Sequence, residues 1–266
     1  MSGMKLFPYP KLFDAAVLAG EAIIKVYNTE NFEVESKGDD SPLTQADKQA
    51  HQIISGEIKR FSRLPILSEE GEQYSYLERA QWKSYWLVDP LDGTKEFIKR
   101  NGEFTVNIAL IENGIPVLGV IYVPVSQVIY YGSKENGAFK GQVSFKSEKE
   151  FEIKDVLALP QPLADSPFIL VGSRSHMSEE TMAYKKELES EHSHIEMVSC
   201  GSSLKLCMVA EGKAHEYPRF APTMEWDTGA GDAICRAAGF KVLAYPAKTP
   251  LKYNKENLLN PFFLVC

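Results

Sequence analysis

The chain has 266 residues, 44% of them hydrophobic and 24% charged, with a formal net charge of −7. This content supports a substantial core and excludes global disorder, and the length allows one large domain or two small ones. The acidic balance argues against a nucleic-acid polymer as partner, which needs many Lys and Arg on phosphates, but not against a small anionic ligand, because bound divalent cations reverse a site's local charge.

Near the N-terminus Pro8, Pro10 and Asp14 interrupt any apolar region, so no signal peptide is read. Helical spacing of Phe13, Ala16, Val17, Gly20, Ile24 and Tyr27 predicts a helix from Pro10 to about Tyr27. Residues 28–43 are polar, with Gly38, Asp39, Asp40 and Pro42 as breakers, and read as an irregular loop. A second helix begins near Thr44, with Ala46, Ala50, Ile53, Ile54, Ile58 and Phe61 as its apolar stripe. Thr44 with Asp47 fits a variant of the capping box, which accounts for Asp47 unless its carboxylate projects into a site.

Pro65-Ile66-Leu67 reads as a short strand followed by Ser68-Glu69-Glu70. Adjacent glutamates in a loop usually form a solvated face. If this strand neighbours the next, Tyr85 to Val88, Glu69 or Glu70 can instead reach that strand's end. There Asp89-Pro90-Leu91-Asp92-Gly93-Thr94 gathers two carboxylates and a hydroxyl into one turn. Pro90 cannot donate a ladder bond and Gly93 allows a tight turn. Two readings stay open at this point: an Asp-Gly hairpin turn, or a site for a hard cation such as Mg²⁺.

Phe104 to Glu112 and Ile115 to Val123 flank Asn113-Gly114, a clear antiparallel hairpin signal. The zone from Thr105 to Val125 is the most apolar of the chain, but Glu112 and the Asn-Gly turn make it a hairpin rather than a membrane span. Val128 to Tyr131 and Ala138 to Lys140 extend the sheet. Residues 141–166 are charged and contain Pro160 and Pro162, which places a domain boundary there. The expected division is 1–155, an α+β domain, and 156–266, an α/β domain.

The second half alternates strands and helices. Strands are predicted at Phe168 to Val171, Ile195 to Val198, Ala214 to Tyr217 and Lys241 to Ala244. Helices are predicted at about Glu179 to Ser190, from Gly201 to about Glu211, and from Asp227 to Ala238. Asp227 is a favoured N-cap residue, yet a helix N-terminus also suits phosphate. Gly229-Ala230-Gly231 is not a dinucleotide fingerprint, because the third glycine is missing and no strand runs into it. Cys200, Cys207, Cys235 and Cys266 form no C-x-x-C pair and no zinc spacing, so they read as idle thiols of a reducing compartment. His192 and His194 flank a charged helix end and read as surface residues.

Ser68-Glu69-Glu70, Asp89-Pro-Leu-Asp92-Gly-Thr94 and Trp226-Asp227, in this order, resemble the lithium-sensitive, Mg²⁺-dependent phosphomonoesterase superfamily. That superfamily includes inositol monophosphatase and 3′(2′),5′-bisphosphate nucleotidase. Thr94-Lys95-Glu96-Phe97, the run Tyr217-Pro-Arg-Phe-Ala-Pro-Thr-Met-Glu-Trp-Asp227 and Ser173-Arg174-Ser175-His176 are similar to the bacterial bisphosphate nucleotidases. Inositol phosphatases often carry a Glu seven residues before the final Asp; here that residue is Phe220.

The resemblance implies a layered α-β-α-β-α sandwich of two domains with the active site between them. It implies that Glu69, Asp89, Asp92 and Asp227, with the Leu91 carbonyl, hold two or more Mg²⁺. Asp47, Glu69 and Thr94 would activate the attacking water. The substrate phosphate would contact Glu69, Leu91, Asp92, Gly93, Thr94 and Asp227. Gly201, Ser202 and Ser203 would offer hydroxyls to ribose or phosphate unless they only start a helix. Arg174 and Arg219 suit a second phosphate, with a surface salt bridge as the plain alternative, and His176 faces adenine or is a bystander. Glu70 is ambiguous.

The expected reaction removes the 3′-phosphate of adenosine 3′,5′-bisphosphate to give AMP, with 3′-phosphoadenylyl sulfate as a second substrate. An inositol or sugar-phosphate phosphatase of the same fold is the alternative, and a non-catalytic metal- or nucleotide-binding regulator is less favoured because every expected acid is present. The implied enzyme is cytoplasmic and without a transmembrane segment, with homodimer formation and peripheral association at the inner membrane left open.

Overall fold

The computed structural model describes residues 8–29, 34–36, 42–147, 150–164, 167–172 and 178–266, with 34–36 and 42–44 described by backbone alone. Helix α1 (Lys11–Tyr27) is followed by an antiparallel pair, β1 (Val34–Ser36) and β2 (Pro42–Thr44), and then by α2 (Gln45–Phe61). The pair corrects the reading of 28–43 as wholly irregular. β3 (Ile66–Ser68), the short α3 (Tyr76–Arg79) and β4 (Ser84–Asp92) come next, with β3 and β4 parallel. The short α4 (Thr94–Ile98) leads into β5 (Thr105–Glu112), β6 (Ile115–Val123), β7 (Val128–Ser133), β8 (Gly137–Ser147) and β9 (Glu150–Leu159). Strands β3 to β9 form one seven-stranded sheet in sequence order. The Asn113-Gly114 hairpin forms as expected, both residues having positive φ.

The near-continuous apolar character of β4 to β6 follows from burial on both faces. Trp86, Val88, Val106, Ile108, Val120 and Tyr122 point to the side covered by α1 and α2. Tyr85, Leu87, Ala109, Ile111 and Ile121 point to the other side. That side is covered by elements of the second half. There β10 (Phe168–Gly172) and β11 (Ile195–Ser199) are a parallel pair connected through α5 (Glu179–Leu188). They are followed by α6 (Leu204–Glu211), β12 (Tyr217–Arg219), α7 (Glu225–Ala237), β13 (Val242–Ala244), β14 (Thr249–Pro250) and β15 (Phe263–Val265). The last four strands form a second sheet in the order β12-β15-β13-β14.

Leu206 and Val209 of α6 and Ile234 of α7 lie in one apolar cluster with Leu87 and Ile121 on one side and Val242, Phe263 and Val265 on the other. Leu188, at the end of α5, packs on Phe168 and Leu170 beyond them. The layers therefore run α-β-α-β-α, as the resemblance implies. The division expected at 155/156 falls inside β9, which pairs with β8 from Ser147 back to Ala138. Much of the charge that suggested a domain boundary belongs to β9, an exposed sheet edge, where charged residues discourage further pairing. The chain leaves the sheet only at Pro160. A buried polar tie also joins the halves: Glu211 of α6 accepts from Tyr130 Oη at 2.9 Å and from Lys140 Nζ at 2.5 Å.

Helix α7 lies directly on β6. A Cβ at Gly119 would collide with the Ala230 carbonyl oxygen of the helix. Gly119→Ala is therefore expected to lower stability by about 1–3 kcal/mol, read as a lower urea midpoint. Gly56→Ala, on an exposed turn of α2 with nothing within 4 Å of the new methyl, is expected to raise it by about 1 kcal/mol. Equal midpoints for the two variants would contradict this packing.

Candidate active site

The site is built at the end of β4. The strand continues past Asp89 to Asp92 instead of stopping, which corrects the turn reading. Asp89 pairs with Asn107 and Asp92 with Thr105, so Pro90 and Leu91 together stand opposite the single residue Val106, one residue in excess, as a bulge. Proline is tolerated there because no ladder bond is lost. Leu91 N donates to Asp89 Oδ1 at 3.1 Å and turns the backbone. Gly93 does not close a hairpin; it sits at φ 94°, which favours glycine, and caps α4 ahead of Thr94.

Glu69 follows β3. Ser68 pairs with Val88, and Glu69 N donates to the Val88 carbonyl at 3.2 Å, so the two strand ends meet as expected. Asp227 is the third residue of α7 rather than its N-cap; Met224 is the cap, and its N–H donates to Asp227 Oδ2 at 2.9 Å. One oxygen from each of Glu69, Asp89 and Asp227 lies within 4.8 Å of the other two. Asp47, in the first turn of α2, is 1% exposed and its charge is felt at Asp89. Glu70 is half-buried beside Glu69 and is not among the three clustered carboxylates.

Burial, then the charges of Glu69, Asp92, Asp227 and Asp47, raise the Asp89 carboxyl well above its ordinary value. Burial and the charges of Asp92 and Glu69 push Asp227 up to about 8, against the Met224 N–H and Arg219. Asp227 is half-buried by area, but protein surrounds it on the scale over which charge is felt. Packed oxygen donors that repel one another are the donor set of a hard divalent cation, and these residues fit one.

Beside the acids lies a cavity of about 200 Å³, with Asp92, Lys95, Ser202, Lys205, Arg219 and Asp227 in its wall. Gly201 to Ser203 form a turn before α6 rather than its first residues, with Ser202 at φ 53°. Both serine hydroxyls bond to Asp92 Oδ2, at 2.6 and 2.7 Å. Arg219 is held by Thr223 Oγ1 at 2.6 Å and the Pro222 carbonyl at 3.1 Å. Phe220 packs against Tyr184, Tyr245 and Phe262, so an aromatic cluster stands where inositol phosphatases often carry an acid. Arg174 and His176 lie outside the described residues. His194 is exposed, and His192 stacks on Phe168 with ring centroids 3.8 Å apart.

Several supporting residues escaped the sequence reading. Glu225 is fully buried and accepts from Asn254 N at 2.6 Å and from Lys255 Nζ at 2.5 Å. Arg79 Nη1 grips the same strap through Asn254 Oδ1 at 2.9 Å and the Lys255 carbonyl at 3.0 Å. Together they fix the first turn of α7 and hence Asp227. His51 Nδ1 and Ser68 Oγ are 2.9 Å apart, next to Glu69. Asn107 offered the one visible signal, an amide inside an otherwise apolar strand.

Carboxylates gathered at strand and helix ends on this layered frame define a metal-dependent phosphomonoesterase. Residues 9–261 match the Inositol monophosphatase family, and the chain belongs to it. It is 47% identical to the 3′(2′),5′-bisphosphate nucleotidase CysQ of Salmonella typhimurium over 249 residues, 93% of this chain and 94% of that protein. Its identity to the protein of the same name from Escherichia coli K12 is also 47%, over 250 residues, with the same coverage. The crystal structure of CysQ from Bacteroides thetaiotaomicron, described as a bacterial member of the inositol monophosphatase family, is similar with a TM-score of 0.86 and 49% identity. That likeness covers 96% of this chain and 95% of that one.

Two expectations follow from the acid cluster. Asp89→Asn should reduce turnover by at least about 100-fold while the metal-free protein melts no lower than the parent, since it removes a repelled buried charge and no core packing; retained turnover would contradict the ligand assignment. The folded-state pKa of Asp227 lies above its ordinary 3.8, so its stabilising contribution is full below that value and is lost as pH rises through about 8. A divalent cation should therefore raise the melting temperature more at about pH 8 than at about pH 5, and an equal rise at both would count against the assignment.

Proposed function

We propose that the protein is a Mg²⁺-dependent nucleotidase that removes the 3′-phosphate of adenosine 3′,5′-bisphosphate, yielding AMP and phosphate, and that it acts in the cytoplasm. The observation that carries the proposal is the carboxylate cluster of Glu69, Asp89 and Asp227 opening onto a cation-lined cavity. The names of the relatives point the same way, as does Phe220 at the position of the inositol-binding acid. 3′-Phosphoadenylyl sulfate presents the same 3′-phosphate and is a second candidate substrate. Among the described residues no helix is long and apolar enough to cross a membrane.

Glu69, Asp89, Asp92 and Asp227, with the Leu91 carbonyl, would hold Mg²⁺. When bound, the cation lowers the pKa of water toward neutrality and neutralises phosphate charge. The remaining chemistry belongs to the chain. Thr94 relays to the Asp47 carboxylate the proton released as a water oxygen attacks phosphorus. The bond from phosphorus to the ribose 3′-oxygen breaks, that oxygen takes a proton from solvent and leaves as a hydroxyl, and Asp47 returns its proton to solvent. The N-terminus of α7 and the Gly93–Thr94 backbone face the phosphate being transferred. Lys95, Lys205 and Arg219 supply positive charge for the 5′-phosphate, and Arg219 is pre-set by its bonds to Thr223 and Pro222. Phosphoryl transfer needs little beyond such positioning and charge neutralisation.

Phosphate release from adenosine 3′,5′-bisphosphate and from inositol 1-phosphate, measured side by side with Mg²⁺, tests the substrate. The nucleotide should be preferred in kcat/KM by at least about tenfold. Preference for the inositol ester would establish the alternative reading, and no release from either ester despite metal binding would favour a regulator.

A further inference from the structure

We infer that Ser202 and Ser203 are positioning residues of the metal site: their hydroxyls set the Asp92 carboxylate and are not ligands of the nucleotide. This rests on the metal-dependent reading above.

Both hydroxyls end on one atom, Asp92 Oδ2, and Asn107 Nδ2 approaches the same atom at 3.5 Å. Among the described residues, each hydrogen bond to this carboxylate from another side chain ends on Oδ2. These contacts leave Oδ1 for another ligand. The bonds close into a ring. Thr105 Oγ1 stands 2.7 Å from Ser202 Oγ and 2.9 Å from Asn107 Oδ1 and shares its one proton between them, and Asn107 Nδ2 donates to Ser203 Oγ at 2.9 Å. Asp92 and Thr105 are also partners in the β4–β5 ladder. Ser203 Oγ reaches the main-chain carbonyl of Asp227 at 2.8 Å, so the ring is tied to the helix that carries the last acid.

A serine hydroxyl has one proton to donate. The Ser202 proton is shared between Asp92 Oδ2 and the Asp92 carbonyl, and the Ser203 proton between Asp92 Oδ2 and the Asp227 carbonyl, so a ribose or phosphate oxygen seeking either must displace these acceptors, of which the charged oxygen is the stronger. Thr105, Asn107 and Ser203 are 0%, 1% and 2% exposed, so water does not readily replace a lost member. Groups that orient a metal-ligating carboxylate typically change metal affinity by about 10- to 100-fold when removed.

Calorimetric titration of MgCl₂ into the metal-free full chain, without nucleotide, tests this on the parent, Ser202→Ala, Ser203→Ala and the double variant. The magnesium Kd of the double variant should rise by about 10- to 100-fold, with the Mg²⁺ concentration for half-maximal rate moving in step. The nucleotide KM at saturating Mg²⁺ should stay at the parent value. A raised nucleotide KM with unchanged magnesium affinity would overturn the inference and return both hydroxyls to the substrate. Unchanged values of both would overturn it as well. Ser202 is half-buried, so Ser202→Ala decides the matter if the melting curve of Ser203→Ala shows loss of fold. A parent protein that binds no Mg²⁺ would remove the metal reading and this inference with it, an outcome distinct from equal binding by parent and variants.

Discussion

Mutual repulsion among carboxylates is what the rest of the molecule has to withstand. At separations near 4.8 Å, two ionised groups repel by about 3 kcal/mol at an effective dielectric near 20. Glu69, Asp89 and Asp227 stand at such distances, with Asp47 and Asp92 close enough to be felt. Burial and this repulsion raise the Asp89 and Asp227 carboxyls above their ordinary range, so without a cation the charged forms are disfavoured. They stay together because each is anchored by a different, independently stabilised element. Parallel pairing with β4 brings the end of β3 to the site, the bulge turns Asp89, and the buried Glu225–Lys255 pair pins the start of α7. A divalent cation converts the same crowding from a liability into affinity.

How much of this was legible in the sequence depended on the range of the interactions. Asp89-Pro-Leu-Asp92-Gly-Thr94 could be read because its chemistry is packed into consecutive residues. The Asn113-Gly114 hairpin could be read because its turn needs positive φ at two adjacent positions. Asp227 was singled out, but its place was missed by three residues, since Met224 supplies the cap while Asp227 accepts from its N–H. The charged composition of 141–166 suggested a domain boundary, whereas 150–159 within it form an exposed edge strand.

The ring around Asp92 lay beyond any local reading. Its members are drawn from two adjacent strands and from a turn 96 and 111 positions away from Asn107 and Asp92. Nothing in Gly201-Ser202-Ser203 by itself distinguishes a hydroxyl that meets a ribose from one that meets a carboxylate. Arg219 illustrates the opposite case: its type alone suggested an anion, and the structure adds its anchoring by Thr223 and its place in the cavity wall.

The seven-stranded sheet carries a temporal implication. Every pairing in it is made within residues 66–159, each strand beside its sequence neighbour. A nascent chain can thus complete this sheet, with Glu69 and Asp89 side by side, before α6 and α7 have been synthesised. At that stage Asp227 and both serines are missing, and Glu69, Asp89 and Asp92 stand without them. The full donor set waits for the last third of the polypeptide, so a complete site marks a finished molecule.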